Sequence, residues 1–299
     1  MPHQLVIILG FLLGIVSALF FAFYMVPQKV LKLDTISYLW AIALGVLLSA
    51  LIPYVWVGCP HHATWWQRGE AVFCGLVWGL GTMAFSASIG RIGMALATPF
   101  KNTTGVLGTL VGLLFLQEWR TTNATYALLG SALIVVSAVV IGMTGGADVP
   151  RRHTVSGILL ALAAAVCYAS YLYPLKQVVA AVGYWEFTPW MAVGILITAT
   201  VAVLLRPGGV RVLRTYPLSA YAWSLLGGAA WTIALYALSA SMGMVDLSIA
   251  WSLAQLNTLP AVFLGIVAFH EVSFRAHAGK VLLGLLCATI GTVLLALAK

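Results

Sequence analysis

Lys101, Asn102 and Thr104 fall within four residues of one another in an otherwise apolar stretch, and Gln255 and Asn257 fall in a second such stretch. Polar groups in that setting are costly unless they face a cavity or a partner. Amide side chains donate and accept hydrogen bonds at once, which suits a neutral, hydroxyl-rich ligand. Lys101 adds a cation that could bind a hydroxyl or a carboxylate, or change protonation state in a transport cycle. It is the one Lys or Arg placed in the middle of an apolar span, about four residues, or roughly 6 Å, from the span's centre. Two other readings stay open: interhelical hydrogen bonds between packed helices, and a lysine that reaches toward an interface or bonds helix-end carbonyls.

Aromatic residues supply the complementary surface, since indole and phenol rings offer an apolar face and a polar edge. Trp78, Trp231, Trp251, Tyr24, Tyr171 and Tyr236 lie inside apolar stretches. Trp40, Trp56, Trp65, Trp66, Trp119, Trp185 and Trp190 lie near stretch ends, as in an interfacial belt. For the interior set, core packing and cavity lining are both open.

The elements that position these residues follow from composition. Hydrophobic residues make up 62% of the 299 and charged residues 7%, against about 25% charged in a soluble domain. Ten stretches are long enough to cross a bilayer as helices: 5–26, 37–57, 70–89, 93–116, 125–144, 155–176, 187–205, 219–240, 246–269 and 278–298. The expected fold is therefore an all-α integral membrane protein, with no catalytic residues, no cofactor, no metal site and no nucleic-acid partner. The first stretch lacks a basic leader and is too long for a signal sequence. Cys59, Cys74, Cys167 and Cys287 have no metal or disulfide spacing.

The chain also repeats itself. Residues 78–118 match 231–271 at an offset of 153, pairing Trp78 with Trp231, Asn102 with Gln255, Thr104 with Asn257 and Glu118 with Glu271. At an offset of 147, Gly10, Ala18, Tyr24, Pro27 and Lys29 pair with Gly157, Ala165, Tyr171, Pro174 and Lys176. Two five-helix repeats follow, 1–146 and 147–299, inverted because each has an odd number of spans; substrate sites of such carriers lie where the halves meet. Lys101 pairs with Ala254, an asymmetry expected to serve cargo choice. Alternate connections hold ten Lys and Arg on one side and four on the other, which places both termini outside the cytoplasm of the cell membrane. The opposite orientation is the competing one. Pro99 and Pro260 are expected to interrupt helices four and nine, Asp246 to cap helix nine, and Glu118 and Glu271 to act as structural anchors.

The segments Gly75–Gly81, Ile89–Ala95 and Pro99 resemble the sugar-uptake branch of the drug/metabolite transporter superfamily, the glucose/ribose porters. Ser17–Lys29 is similar to the first helix of the L-rhamnose/proton symporters, and Gly112–Glu118 and Gly265–Glu271 resemble the superfamily's endings of helices four and nine. The resemblance implies a ten-helix, five-plus-five inverted repeat that moves a sugar or sugar-like metabolite by alternating access, with protons as a candidate coupling ion through Lys101. The porters of this pattern carry a small hydroxyl residue where Lys101 stands, so the departure points to an acidic or modified sugar. The alternative within the superfamily is an exporter of amino acids, amphiphiles or drugs. The partners implied are that small molecule and the lipid bilayer; oligomeric state is left open.

Overall fold

The computed structural model describes residues 3–31, 33–142, 151–267 and 274–299; Glu271 lies outside them. All regular structure among the described residues is helical. In chain order the helices are α1 (His3–Phe23), α2 (Val26–Leu31), α3 (Thr35–Trp56), α4 (Trp65–Lys101), α5 (Thr104–Phe115), α6 (Ala124–Gly142), α7 (Arg151–Ser170), α8 (Leu172–Val182), α9 (Tyr184–Leu205), α10 (Leu218–Met242), α11 (Leu247–Ala254), α12 (Thr258–Val267) and α13 (Phe274–Leu297). Seven helical segments are long and apolar enough to cross a membrane: Gln4–Gln28, Thr35–Trp56, Trp65–Gly93, Thr154–Val182, Tyr184–Leu205, Leu218–Met242 and Ala278–Leu297. Each falls on one of the expected stretches, and a shorter apolar helix, Ala124–Val140, falls on another. The remaining two stretches, 93–116 and 246–269, are interrupted in the middle.

Four interruptions organise the bundle. Tyr24 and Met25 separate α1 from α2, and Tyr171 separates α7 from α8. Pro27 and Pro174 explain both, because a proline ring cannot donate to, and clashes with, the carbonyl four residues earlier; α1 ends at Phe23 and α7 at Ser170, those very residues. Asn102 and Thr103 separate α4 from α5, and a short 3-10 turn, Gln255–Asn257, separates α11 from α12. Pro260 lies four residues after Leu256, inside that turn. Pro99 instead sits within α4, three residues ahead of the Asn102 break, where the Thr103 hydroxyl donates to the Phe100 carbonyl (2.8 Å) and competes with the helical ladder. A sharp change of direction earlier in α4 falls at Gly93, with φ 77° and ψ 162°, a conformation that glycine tolerates and other residues rarely adopt.

Broken helices inside hydrocarbon must find partners for their freed backbone groups. The Tyr24 carbonyl accepts from the Tyr38 hydroxyl, and the Tyr171 carbonyl from the Cys74 thiol (3.7 Å). The Asn102 amide donates to the Gln255 carbonyl (2.9 Å), to Asn257 Oδ1 (3.0 Å) and to Thr258 Oγ1. Trp251 Nε1 donates to the Thr104 carbonyl (2.9 Å). Each break is therefore completed in part by another segment of the chain.

Helix packing pairs off in the same way. α4 packs on α7 and α9, while α10 packs on α1 and α3; α3 meets α9, α5 meets α11 and α6 meets α13. Two close crossings depend on glycine. A Cβ on Gly194 would lie 2.9 Å from the Leu76 nitrogen and closer still to the Val72 carbonyl, and one on Gly228 would lie 2.7 Å from the Val46 nitrogen. Outside the core, Leu, Ile, Val and Phe side chains are exposed along α1, α6, α10 and α13, as expected where lipid is the solvent. Trp56, Trp65, Trp66 and Trp119 are also exposed and fit an aromatic belt. In a connection, burial alone would raise the Asp34 carboxyl, but hydrogen bonds from Ser37 and Ile36 and the Arg206 guanidinium at 2.7 Å hold it below the ordinary carboxylate range.

Two substitutions test this account. Gly194→Leu drives a side chain into backbone that cannot yield, so it is expected to lower stability by about 3 kcal/mol or more. Gly90→Ala, where an added Cβ meets nothing within 4 Å, is its neutral control; both are read by thermal unfolding in detergent. Asn102→Asp replaces a donor by an oxygen facing three acceptors, and its expected cost is about 1–3 kcal/mol on the same melting curve.

Candidate functional site

The four breaks converge on one cavity. It is lined by Phe21, Tyr24, Trp78, Lys101, Thr104, Tyr168, Tyr171, Trp231, Trp251, Gln255 and Asn257, and holds about 340 Å³ of space between protein atoms, mouth included. Room for the centre of a water-sized sphere amounts to only about 30 Å³, so in this conformation the cavity is drawn in well below the roughly 300–1,000 Å³ usual for small-molecule sites. A second, smaller cleft of about 240 Å³ shares Phe21, Tyr24, Lys101 and Asn257 and adds Phe85 and Thr98.

Rings form most of the wall. Trp78 and Trp231 touch across the centre, their centroids 4.6 Å apart. Each carries a ring from a break helix beside it: Phe21 lies 6.3 Å from Trp231, and Tyr168 lies 6.4 Å from Trp78. Tyr24 sits 6.3 Å from Trp78, and Tyr171 meets Trp251 edge to face at 6.3 Å. Tyr168 is fixed by a hydrogen bond to Thr82 (3.0 Å). A Cβ on Gly108 would lie 2.9 Å from Trp251 Nε1 and closer still to Trp251 Cδ1, so this glycine makes room for the indole.

Polar atoms occupy one side. Lys101, the last residue of α4, is only 6% exposed. Its Nζ stands 5.6 Å from the centre of the Phe85 ring, and it does not reach an interface as a snorkelling lysine would. Buried oxygens without a hydrogen-bond partner cluster near it: Thr98 Oγ1, Thr104 Oγ1 and Gln255 Oε1. Each side chain lines one of the two clefts.

The sequence-derived site residues Lys101, Thr104, Gln255, Asn257, Trp78, Trp231, Tyr24, Tyr171 and Trp251 are all brought to this cavity. Asn102 is not among its lining; it is buried behind the wall, its amide committed to the break between α11 and α12. Tyr236 is elsewhere, stacked against Trp185 at 4.7 Å. Phe21 and Tyr168 were missed, although the 147-residue offset pairs them with each other as it pairs Tyr24 with Tyr171. Among the described residues no cluster of His, Cys, Asp or Glu could hold a metal, and the four cysteines are unpaired.

Beyond the cavity, α5 and the turn after it are tied to α11. α5 lies along α11, where the Thr109 hydroxyl meets Ser252 Oγ at 2.9 Å. Past the end of α5, the Glu118 carboxylate accepts from the Leu247 and Ser248 backbone nitrogens at 2.7 and 2.9 Å, capping α11, whose N-terminal positive end favours an anion. Gly112 leaves space for it, since a Cβ there would lie 3.0 Å from the Ser248 nitrogen and closer still to the carboxylate. Asp246, expected as the cap, makes no side-chain capping bond. It binds Thr121 (3.2 Å), Thr122 and Lys299 (2.8 Å) instead, the last a tie that forms only once Lys299 lies beside it.

Known proteins place this arrangement. A Bacillus cereus protein named for sugar uptake is 29% identical over 136 residues, 45% of this chain, so the match spans about half (47%) of that relative's length. A Priestia megaterium protein named for glucose uptake is 25% identical over 86% of this chain and 89% of its own length. A Listeria innocua protein named for sugar uptake is 22% identical over 97% and 99%. A solved crystal structure of a protein aligns with 97% of this chain and 98% of that chain at a TM-score of 0.73 and 18% identity, a likeness of fold. The profile described as sugar transport protein matches residues 4–144 and 70–298, and the chain, a multi-pass membrane protein, belongs to that family.

Proposed function

We propose that this protein is a secondary carrier that moves a sugar or sugar-like metabolite, acidic and modified sugars included, across the cell membrane by alternating access. In this reading it has ten spans, built as two inverted five-span repeats, 1–146 and 147–299. The observation that carries it is the cavity where four helix breaks meet, lined by residues that the duplication pairs: Phe21 with Tyr168, Tyr24 with Tyr171, Trp78 with Trp231 and Thr104 with Asn257. Indole and phenol faces suit the C–H faces of a sugar, and the oxygens of Thr104 and Gln255 suit its hydroxyls. Relatives named for sugar and glucose uptake support the same class.

The ties between α5 and α11 support a conformation closed on that side. Rocking of the halves would break the Glu118 bonds to α11 and open a path to the cavity. The positive-inside bias assigns this end, with both termini, to the outside of the cell. Lys101 is the candidate for proton coupling.

Three measurements test these points. In proteoliposomes loaded for counterflow of labelled sugars, Trp231→Ala and Gln255→Ala are each expected to reduce uptake about tenfold or more, the loss of a stacking face or of a hydrogen-bond partner; wild-type rates in both variants refute the site. Glu118→Ala removes the cap and is expected to slow transport several-fold while leaving substrate affinity, read by tryptophan fluorescence, within about twofold, since only the conformational step is affected. Cys59, in the connection after α3, is expected to react with a membrane-impermeant maleimide added to intact cells and to lose that labelling in Cys59→Ser; protection until the cells are opened reverses the orientation.

A further inference from the structure

Lys101 carries a charge that nothing in its surroundings answers. No acidic side chain pairs with it among the described residues, whose ion pairs join Arg68 to Glu186, Arg206 to Asp34 and Lys299 to Asp246. Its nearest aromatic contact, Phe85, and its position at the carbonyl end of α4 offset part of the cost. They do not replace the water that a buried ammonium has lost, and a buried charge of this kind is normally paired. Around it, Thr98 Oγ1, Thr104 Oγ1 and Gln255 Oε1 are buried and unpartnered, which is costly unless a ligand supplies hydroxyl donors.

We infer that the cargo is a sugar acid, a polyhydroxylated monocarboxylate whose carboxylate pairs with Lys101 while its hydroxyls bond Thr104 and Gln255 and its carbon face packs on Trp78 and Trp231. This rests on the sugar-carrier reading and narrows it. A single ammonium balances a single negative charge. Lys101 is the one charged side chain among the residues lining either cleft, so a phosphorylated sugar, with close to two negative charges, would leave one of them buried and unanswered. A plain hexose would satisfy the oxygens and leave the ammonium bare. An aliphatic acid would do the reverse. The repeat mate of Lys101, Ala254, is fully buried and adds no second cation.

The test is a titration of the purified full-length protein by tryptophan fluorescence, with three indoles in the wall as reporters. The probes are D-gluconate, D-glucuronate, D-glucose and acetate. Wild type is expected to bind the two sugar acids about 10–100-fold more tightly than glucose, the usual scale of one charged hydrogen bond, and to bind acetate no better than glucose. Lys101→Gln is expected to weaken sugar-acid binding about 10–100-fold and so to abolish the preference, and Lys101→Arg to restore most of it. Wild type that binds glucose as tightly as gluconate overturns the sugar-acid assignment and leaves the carrier intact, whatever the variants do. A preference that survives in Lys101→Gln also overturns the assignment. A wild type that responds to none of the sugars overturns the sugar-carrier reading itself.

Discussion

Every helix break in this bundle leaves backbone carbonyls and amides in a region where no bulk water can satisfy them, and the rest of the structure answers that demand. Part of the answer is local, as the Tyr171 carbonyl also accepts from the Leu175 nitrogen at 3.0 Å, and part comes from other segments. Tyr38 on α3 holds the Tyr24 carbonyl, Asn102 between α4 and α5 holds the Gln255 carbonyl, and Trp251 on α11 holds the Thr104 carbonyl. Two of these bonds cross from one half of the chain to the other. The residues that complete the central breaks therefore stand in or behind the wall of the cavity. Architecture and site share atoms.

That sharing sets what the sequence could disclose. Apolar composition sufficed for the helices, because in lipid the backbone leaves few other choices, and the duplication picked out the paired Trp and Tyr residues of the wall. The breaks at Tyr24 and Tyr171 were within reach too, since Pro27 and Pro174 stand four residues beyond the helix ends. The break at Asn102 was not: Pro99 lies inside a helix that continues past it, and the interruption depends on a hydroxyl that competes for one carbonyl. Asn102 itself reads as a ligand group from type and spacing alone. Its role as a brace becomes visible only when α11 and α12 are brought against it. Glu118 and Asp246 exchange their expected roles for a similar reason, as the cap on α11 comes from a residue more than a hundred positions away.

Symmetry divides the labour within the wall. In the proposed reading, the rings that the sequence pairs, Trp78 with Trp231 and Tyr24 with Tyr171, form a frame suited to a flat carbon face without choosing among the molecules that have one. In that reading the choice falls to positions where the paired residues differ. Lys101 against Ala254 is such a difference in charge, and Gln255 against Asn102 is a difference in place: both amides donate to backbone and leave an oxygen free, but only Gln255 lines the cavity.

The same two indoles also say something about the transport cycle. With ring centroids 4.6 Å apart, Trp78 and Trp231 are in contact, so no sugar ring lies between them in this conformation. A ligand that stacks on either must part them, exchanging one ring–ring contact for two ring–sugar contacts. Trp78 sits on α4 and Trp231 on α10, which pack on α7 with α9 and on α1 with α3 respectively. Parting the indoles therefore pushes on both three-helix groups at once. Close crossings through Gly194 and Gly228 transmit that push rather than absorb it, because backbone packed on backbone has little room to yield.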